Sequence, residues 1–539
     1  MKTNQKSSVT RQSRTNLAGV PATSERSSGQ VPATVSEHGS GGFDPLEATV
    51  AEIRFAIVTG QTTAQAITEA YLARIEAYDD ELNAVLTRNP AAVDRAAELD
   101  DEFAESGVVG PLHGVPIILK DNYDTGDLPT TGGSVILEDS VPPDDAFSVD
   151  QLREAGGIIL AKANMHEFAY GGTTVSSLGG QTLNPYDLER HARGSSGGTA
   201  AAIAANFGVI GMGSDTSSSI RGPSTVTSLV GLRPSVGAVS RDGMMPLSET
   251  QDTGGPMTRT VADTAVAMDV LTGYDSADPA TKRGVKNLPT GPGESFTDYL
   301  DVDGLDGARL GAPREFFGVA PGFGEPSSCD PEVVDVIDTA LAEMESMGAE
   351  IVDPLELPEL LEILPSIEVI QYELRREMNA YLETLEEPPV ENFTELVETG
   401  AYVADIQSSL ETALKLDPEQ LGKNPEYLSR VAHREELQEI LLEAMVGEDL
   451  DAVVYPSEIR LPTRIDADGQ NAGGNCLISA GSGFPAITVP AGFTETEDLP
   501  AGVEFLGRPF SDPLLIRLAY SYEQGTMHRR QPDRYGTVE

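Results

Sequence analysis

Arg193–Arg221 reads RGSSGGTAAAIAANFGVIGMGSDTSSSIR. Two serine clusters, Ser195–Ser196 and Ser217–Ser219, bracket a run of small apolar residues. TAAAIAANFG (199–208) is alanine-rich and reads as a buried helix, ended by Gly208 at the C′ position. VIGMG then reads as a short buried strand. Upstream, VPIILK (115–120) and GIILAK (157–162) are two more short apolar runs, with the helix-like SVDQLREAGG between them. This alternation predicts an α/β protein whose strands lie in a large, mixed, mostly parallel sheet covered by helices on both faces.

The pattern extends outward. LVGLRPS continues the strands, and TVADTAVAMDVLTG makes a helix with its own threonine cap and terminal glycine. Near the start, DPLEATVAEIRFAIVTG has helical spacing, with Asp44 as N-cap and Pro45 at the first helical position. TTAQAITEAYLARIEAYDDEL, capped by Thr62 or Thr63, and NPAAVDRAAELDDEFAESG give two further helices. From about 352 to 447 the chain changes to long acidic helices, read as a helical insertion forming one wall of a substrate site. Strands return in LDAVVYPS, FPAITVPAGF and VEFLGRP, before a last helix in SDPLLIRLAYSYEQGT. Residues 1–42, rich in Ser, Thr, Gly and Gln, read as a disordered leader to a single domain over 43–539.

VPIILK closes on Lys120, and the chain has only eight lysines in 539 residues. Composition alone does not put a lysine at the end of a buried strand. Gly194–Gly198 matches G-x-S-x-G, which would make Ser196 the nucleophile of a strand–turn–helix elbow. That elbow needs an apolar strand directly before it, and NPYDLERHAR is polar and charged. The two serine clusters offer a different chemistry. A serine hydroxyl is a weak nucleophile until a base takes its proton. A lysine can be that base if it is neutral, which means lowering its pKa from about 10.4 to about 7, on the order of 4–5 kcal/mol. Burial and neighbouring hydroxyls can supply this; the competing reading is a buried ion pair of Lys120 with Asp121 or Asp124. Glycines beside the serines let backbone N–H groups approach a developing oxyanion.

HGVPIILKDN, GGQTLNPYDLERHARGSSGGTAAAIAANFG, GMGSDTSSSIR, GLRPSVGAVSRDGMMPLSETQDTGGPMTRTVAD and GFPAITVPAGF together resemble the amidase signature family, over about residues 44–532. The 75 residues from Lys120 to Ser195 and the 24 from Ser195 to Ser219 fit that family's spacing. The resemblance implies the amidase-signature α/β fold and a Ser–cis-Ser–Lys triad. In it Ser219 is the nucleophile, Ser195 the bridging serine on a cis peptide and Lys120 the ultimate base. It also implies that Ser196 bonds within the network and that the N–H groups of Thr216, Ser217 and Ser218 form the oxyanion hole. Arg221 would meet a substrate carboxylate, or else pair with Asp215. Where the family usually has Gly-Gly before the nucleophile, this chain has Ser217-Ser218; a positive φ at either would cost about 1 kcal/mol or more.

The activity implied is hydrolysis of carboxamides, most like peptide C-terminal amidases on the QDTGGPM segment, the helical stretch and the C-terminal ending. The second reading is the A subunit of a tRNA-dependent glutamine amidotransferase. The third is a catalytically silent homologue acting as a binding protein. Pocket walls are expected from the helical stretch and from residues near Met165–Phe168 and Gln181.

Bulk composition bounds the partners. Net charge is −50, from 86 acidic against 36 basic residues spread along the chain. That balance suits concentrated salt, where screening shortens to about 3 Å, and the competing reading is an ordinary acidic enzyme. No basic patch is visible, so no nucleic acid is expected to bind directly. The expected partner is a small-molecule or peptide amide; oligomeric state, a homodimer included, stays open. Cys329, Cys476 and the six histidines show no metal-ligand spacing, so neither metal nor cofactor is expected. No apolar run of about 18 residues and no secretory core is present, which gives a cytoplasmic expectation with no membrane partner.

Overall fold

The computed structural model describes residues 43–317, 329–467 and 474–538. The leader read at 1–42 lies outside the described residues. Among the described residues eleven strands form one sheet: β1 (Val85–Arg88), β2 (Pro116–Lys120), β3 (Ile158–Ala163), β4 (Ile210–Asp215), β5 (Val230–Arg233), β6 (Thr253–Thr258), β7 (Arg309–Gly311), β8 (Glu350–Val352), β9 (Ala452–Pro456), β10 (Ala486–Phe493) and β11 (Pro500–Leu506). Across the sheet they run β1-β3-β2-β4-β6-β5-β10-β11-β9-β7-β8.

The sheet is mixed, as expected, but parallel pairing is confined to two blocks, β3-β2-β4 and β9-β7-β8. The centre, β4-β6-β5-β10-β11-β9, is antiparallel throughout, which corrects the mostly parallel expectation. Antiparallel neighbours need no crossover helix, and β10 returns into β11 through a turn closed by Thr494 N–H donating to Leu499 O at 2.9 Å. Every residue of β2, β3, β4, β5, β6, β9 and β11 is buried. Successive side chains point to opposite faces, so both faces of these strands are covered. Strands buried on both faces read as continuous apolar runs whichever way their neighbours point, so direction was not written in them.

Local signals carried most helices, with two shifts. Val50–Val58 is capped by Thr49 in a capping box with Glu52, while Asp44 holds only the Leu46 N–H at 3.0 Å. The helix after Ser195 runs Gly197–Ala204, and the left-handed residue beyond it is Asn206 (φ 60°), not Gly208. Its last carbonyls, at Ala205 and Asn206, accept from the buried Arg74 at 2.9 and 2.8 Å.

The acidic stretch holds the helices Leu360–Ile363, Ile370–Leu382, Phe393–Thr399, Gln407–Leu414 and Pro425–Gly447. Its apolar side packs Leu374, Met378 and Leu410 onto Met165, Phe168 and Met245. Glu373, fully buried, accepts from the hydroxyls of Ser248 (2.5 Å), Tyr427 (2.7 Å) and Thr250. One residue on from Thr250, Gln251 accepts from Val369 N–H at 2.8 Å and donates to Thr216 O at 3.0 Å. These ties seat the helices against the loops that follow β4.

Candidate active site

Lys120 is the last residue of β2 and is fully buried. Its Nζ lies 2.7 Å from Ser195 Oγ and 2.7 Å from Ser214 Oγ, and among the described residues no carboxylate lies within ion-pairing distance of it. Burial lowers its pKa to about 7, against the opposing pull of Asp215 and Asp252. A pKa near neutrality leaves a share of the lysine as the free amine that a base requires. Ser214 is the last residue but one of β4, the parallel neighbour of β2, and its hydroxyl also meets Asn122 Nδ2 at 3.0 Å. Ser195 is fully buried and follows a cis Gly194–Ser195 peptide. Its carbonyl accepts from His166 N–H at 3.0 Å.

Ser219 stands in the turn after β4 and is 6% exposed. Its carbonyl accepts from Ser196 N–H at 3.3 Å, and Ser196 Oγ donates to Ser214 O at 3.2 Å, so the two serine clusters are joined. Ser217 and Ser218 are half-buried, and neither takes a positive φ. Serine in place of glycine therefore carries no left-handed strain in this loop. Thr216 is held from two sides, with its hydroxyl on Asp252 Oδ1 (2.6 Å) and its carbonyl on Gln251 Nε2 (3.0 Å). The backbone leading to Ser219 is thus braced at Thr216.

A scan against family models matches residues 66–516 to the family described as Amidase. The chain belongs to the amidase signature family. It is 31% identical to the A subunit of a glutamyl-tRNA(Gln) amidotransferase of Moorella thermoacetica, an alignment covering 88% of this chain and 96% of that protein. It is 30% identical to a probable amidase of Arabidopsis thaliana, covering 91% and 92% of the two chains. Among solved structures, native peptide amidase from Stenotrophomonas maltophilia superposes with a TM-score of 0.79 at 33% identity, over 90% of this chain and 98% of that one. This makes the chain an amidase-family hydrolase with the family's α/β fold.

In this amidase-family chain two of the expected site residues bond to the protein itself. Arg221 is fully buried, and all three of its guanidinium nitrogens bond to the protein. Its Nε and Nη2 meet Asp215 at 3.2 Å each, Nη1 donates to Glu504 at 2.6 Å, and Nη2 also reaches Ser217 O (2.9 Å) and Cys476 O (2.8 Å). Of its two readings the ion pair is the one the geometry gives, and it braces the Ser217 carbonyl. Burial pushes Asp215 up, but Arg221 and Arg233 outweigh it and hold it at about 2. Gln181 is likewise spent on the backbone, donating to Thr173 O (2.6 Å), Thr182 O (2.8 Å) and Thr174 O (3.1 Å). Met165 and Phe168 are buried and pack on the helical stretch.

The alternative partners of Lys120 are engaged elsewhere. Asp121 pairs with Lys162 at 3.2 Å and accepts from Thr131, while Asp124 accepts from Tyr381 Oη at 2.8 Å. The residues the sequence reading missed are Ser214, Asn122 and Asp252. Ser214 lies inside the stretch GSDT, and its position on the strand beside Lys120 is the signal that would have found it. Among the described residues no group of His, Cys, Asp or Glu is arranged to hold a metal ion. No described helix is long and apolar enough to cross a membrane.

Proposed function

We propose that the chain hydrolyses carboxamides to acid and ammonia through an acyl-enzyme on Ser219. Neutral Lys120 takes the proton of Ser195, which takes that of Ser219 as its oxygen attacks the amide carbon. The N–H groups of Thr216, Ser217 and Ser218 receive the carbonyl oxygen. Ser195 then passes its proton to the departing nitrogen, ammonia leaves, and water releases the acid by the reverse relay. The observation that carries this reading is the 2.7 Å contact of a fully buried Lys120 with Ser195, with no described carboxylate in ion-pairing reach to keep the lysine charged. Likeness to the Stenotrophomonas peptide amidase structure supports amidated peptides as the substrate class.

The test is ammonia release from simple carboxamides and from peptide amides in high salt. Ser219→Ala and Lys120→Ala are expected to lose at least about 10³-fold in kcat/KM. No turnover, together with no labelling of Ser219 by a fluorophosphonate, overturns the proposal. A second reading, the A subunit of a glutamine amidotransferase, is favoured by the 31% identity to the Moorella protein. It predicts ammonia release only after the other proteins of such a complex and charged tRNA are added.

A further inference from the structure

Ser195 is held by residues 166–174, of which the sequence reading names only 166–168, as part of a pocket wall. Thr174 lies within it, fully buried, at φ 58°. A β-branched residue with positive φ is a true outlier, and it persists only where its surroundings hold it. Here the side chain does the holding. Thr174 Oγ1 donates to Arg193 O at 2.5 Å and accepts from Gly197 N–H at 3.0 Å. One hydroxyl therefore spans the turn Gly194–Ser195–Ser196 from the residue before it to the residue after it. Gly197 opens its helix, so its amide has no intrahelical acceptor and depends on this hydroxyl.

The fit is close on both sides. A Cβ at Gly197 would come within 2.4 Å of Thr174 Oγ1, and one at Gly194 within 2.9 Å of Thr173 N and 3.0 Å of Thr174 N. The glycines around Ser195–Ser196 thus admit the 172–174 backbone. Thr174 O in turn accepts from Thr182 N–H (3.0 Å) and Gln181 Nε2 (3.1 Å), which ties the segment to the next hairpin.

We infer that Thr174 is a positioning residue for the proton bridge: its hydroxyl fixes the Gly194–Ser196 turn and so keeps Ser195 Oγ within reach of Lys120. This rests on the triad reading given above. The residue touches no reacting atom and acts through the backbone that presents Ser195.

Thr174→Ala and Thr174→Ser separate the hydroxyl from the backbone. Alanine is easier than threonine at this φ, so a loss in the alanine variant reports the missing hydroxyl. Thr174→Ala is expected to lower kcat about tenfold to a hundredfold, with KM within about twofold. Thr174→Ser is expected to restore kcat to within about threefold, and the acid limb of the pH profile to stay where it is, because the burial of Lys120 is untouched. Amide exchange at Gly197 should quicken at least about tenfold in the alanine variant and not in the serine one. Thr174→Gly, unstrained at this φ, is a second hydroxyl-free variant expected to show the same kcat loss should alanine fail to fold. The inference is overturned if serine is as slow as alanine, if the loss falls in KM, or if Gly197 exchange is unchanged. A wild type without amidase activity would sink the proposed function, yet unchanged Gly197 exchange would still overturn, and faster exchange still uphold, the positioning role.

Discussion

Lys120 and Lys162 sit on the adjacent parallel strands β2 and β3, both fully buried, and they meet opposite company. Lys162 lies 3.2 Å from Asp121 Oδ1 and donates to Thr130 Oγ1 (2.9 Å) and Pro129 O (3.0 Å). A carboxylate and a carbonyl only accept, so these contacts call for N–H groups and favour the ammonium. Lys120 meets two hydroxyls at 2.7 Å, Ser195 and Ser214, which donate as readily as they accept and can face an amine lone pair, and it donates to one carbonyl, Ser214 O, at 3.4 Å. Burial lowers both lysines, and at Lys162 the Asp121 carboxylate opposes it. Burial is thus common to both sites, and the neighbours differ: a carboxylate lies within ion-pairing distance of Lys162, while two hydroxyls stand nearest Lys120.

The widest separation between the two is in turnover. Lys120→Met should remove at least about 10³-fold in kcat/KM, while Lys162→Met, in whatever fraction folds, stays within about tenfold of wild type. Equal losses would break the distinction. Stability should divide the other way. Lys162→Met leaves Asp121 buried without its partner and should cost about 3–5 kcal/mol in denaturant unfolding. Lys120→Met removes a group that resists burial and should leave unfolding unchanged or make it harder.

The pH profile sharpens the contrast next. Lys120 must be neutral to accept a proton, so kcat/KM should fall about tenfold per unit as pH drops below about 7. The native value lies below the unfolded one of about 10.4, so between the two the unfolded chain binds more protons. Stability of wild type relative to Lys120→Met should therefore rise with pH across that window and be flat beneath it. The smallest expected effect is that of salt on the limb near pH 7. Both lysines are out of reach of mobile ions, so going from low to molar salt should move it by less than about half a unit. The melting temperature should rise over the same range if the folded chain has to overcome a net charge of −50, and equal melting at both ends would count against a halophilic chain.

Much of this was legible in the residues. The apolar runs 115–120 and 157–162 became strands within a residue of where they were expected, because short apolar runs bounded by glycine and polar residues leave few alternatives. The spacing of Lys120, Ser195 and Ser219 carried the resemblance that gave their roles. The antiparallel centre of the sheet was not legible, since strand direction is set by connections between elements. Nor were Ser214, Asn122 and Thr174, which are common residues whose importance comes from which backbone they face. Arg221 could be read two ways because its partners Glu504 and Cys476 lie more than 250 positions away.

Glu373 and Gln251 fasten the helical wall to the stretch Ser248–Asp252, and through Gln251 and Asp252 to Thr216. Whatever displaces those helices also pulls on the Thr216 backbone, which the proposed function gives to the carbonyl oxygen. An acyl group too large for the wall would then be turned over slowly even when it binds well. On the proposed function, size exclusion in this chain is expected in the rate of reaction more than in affinity.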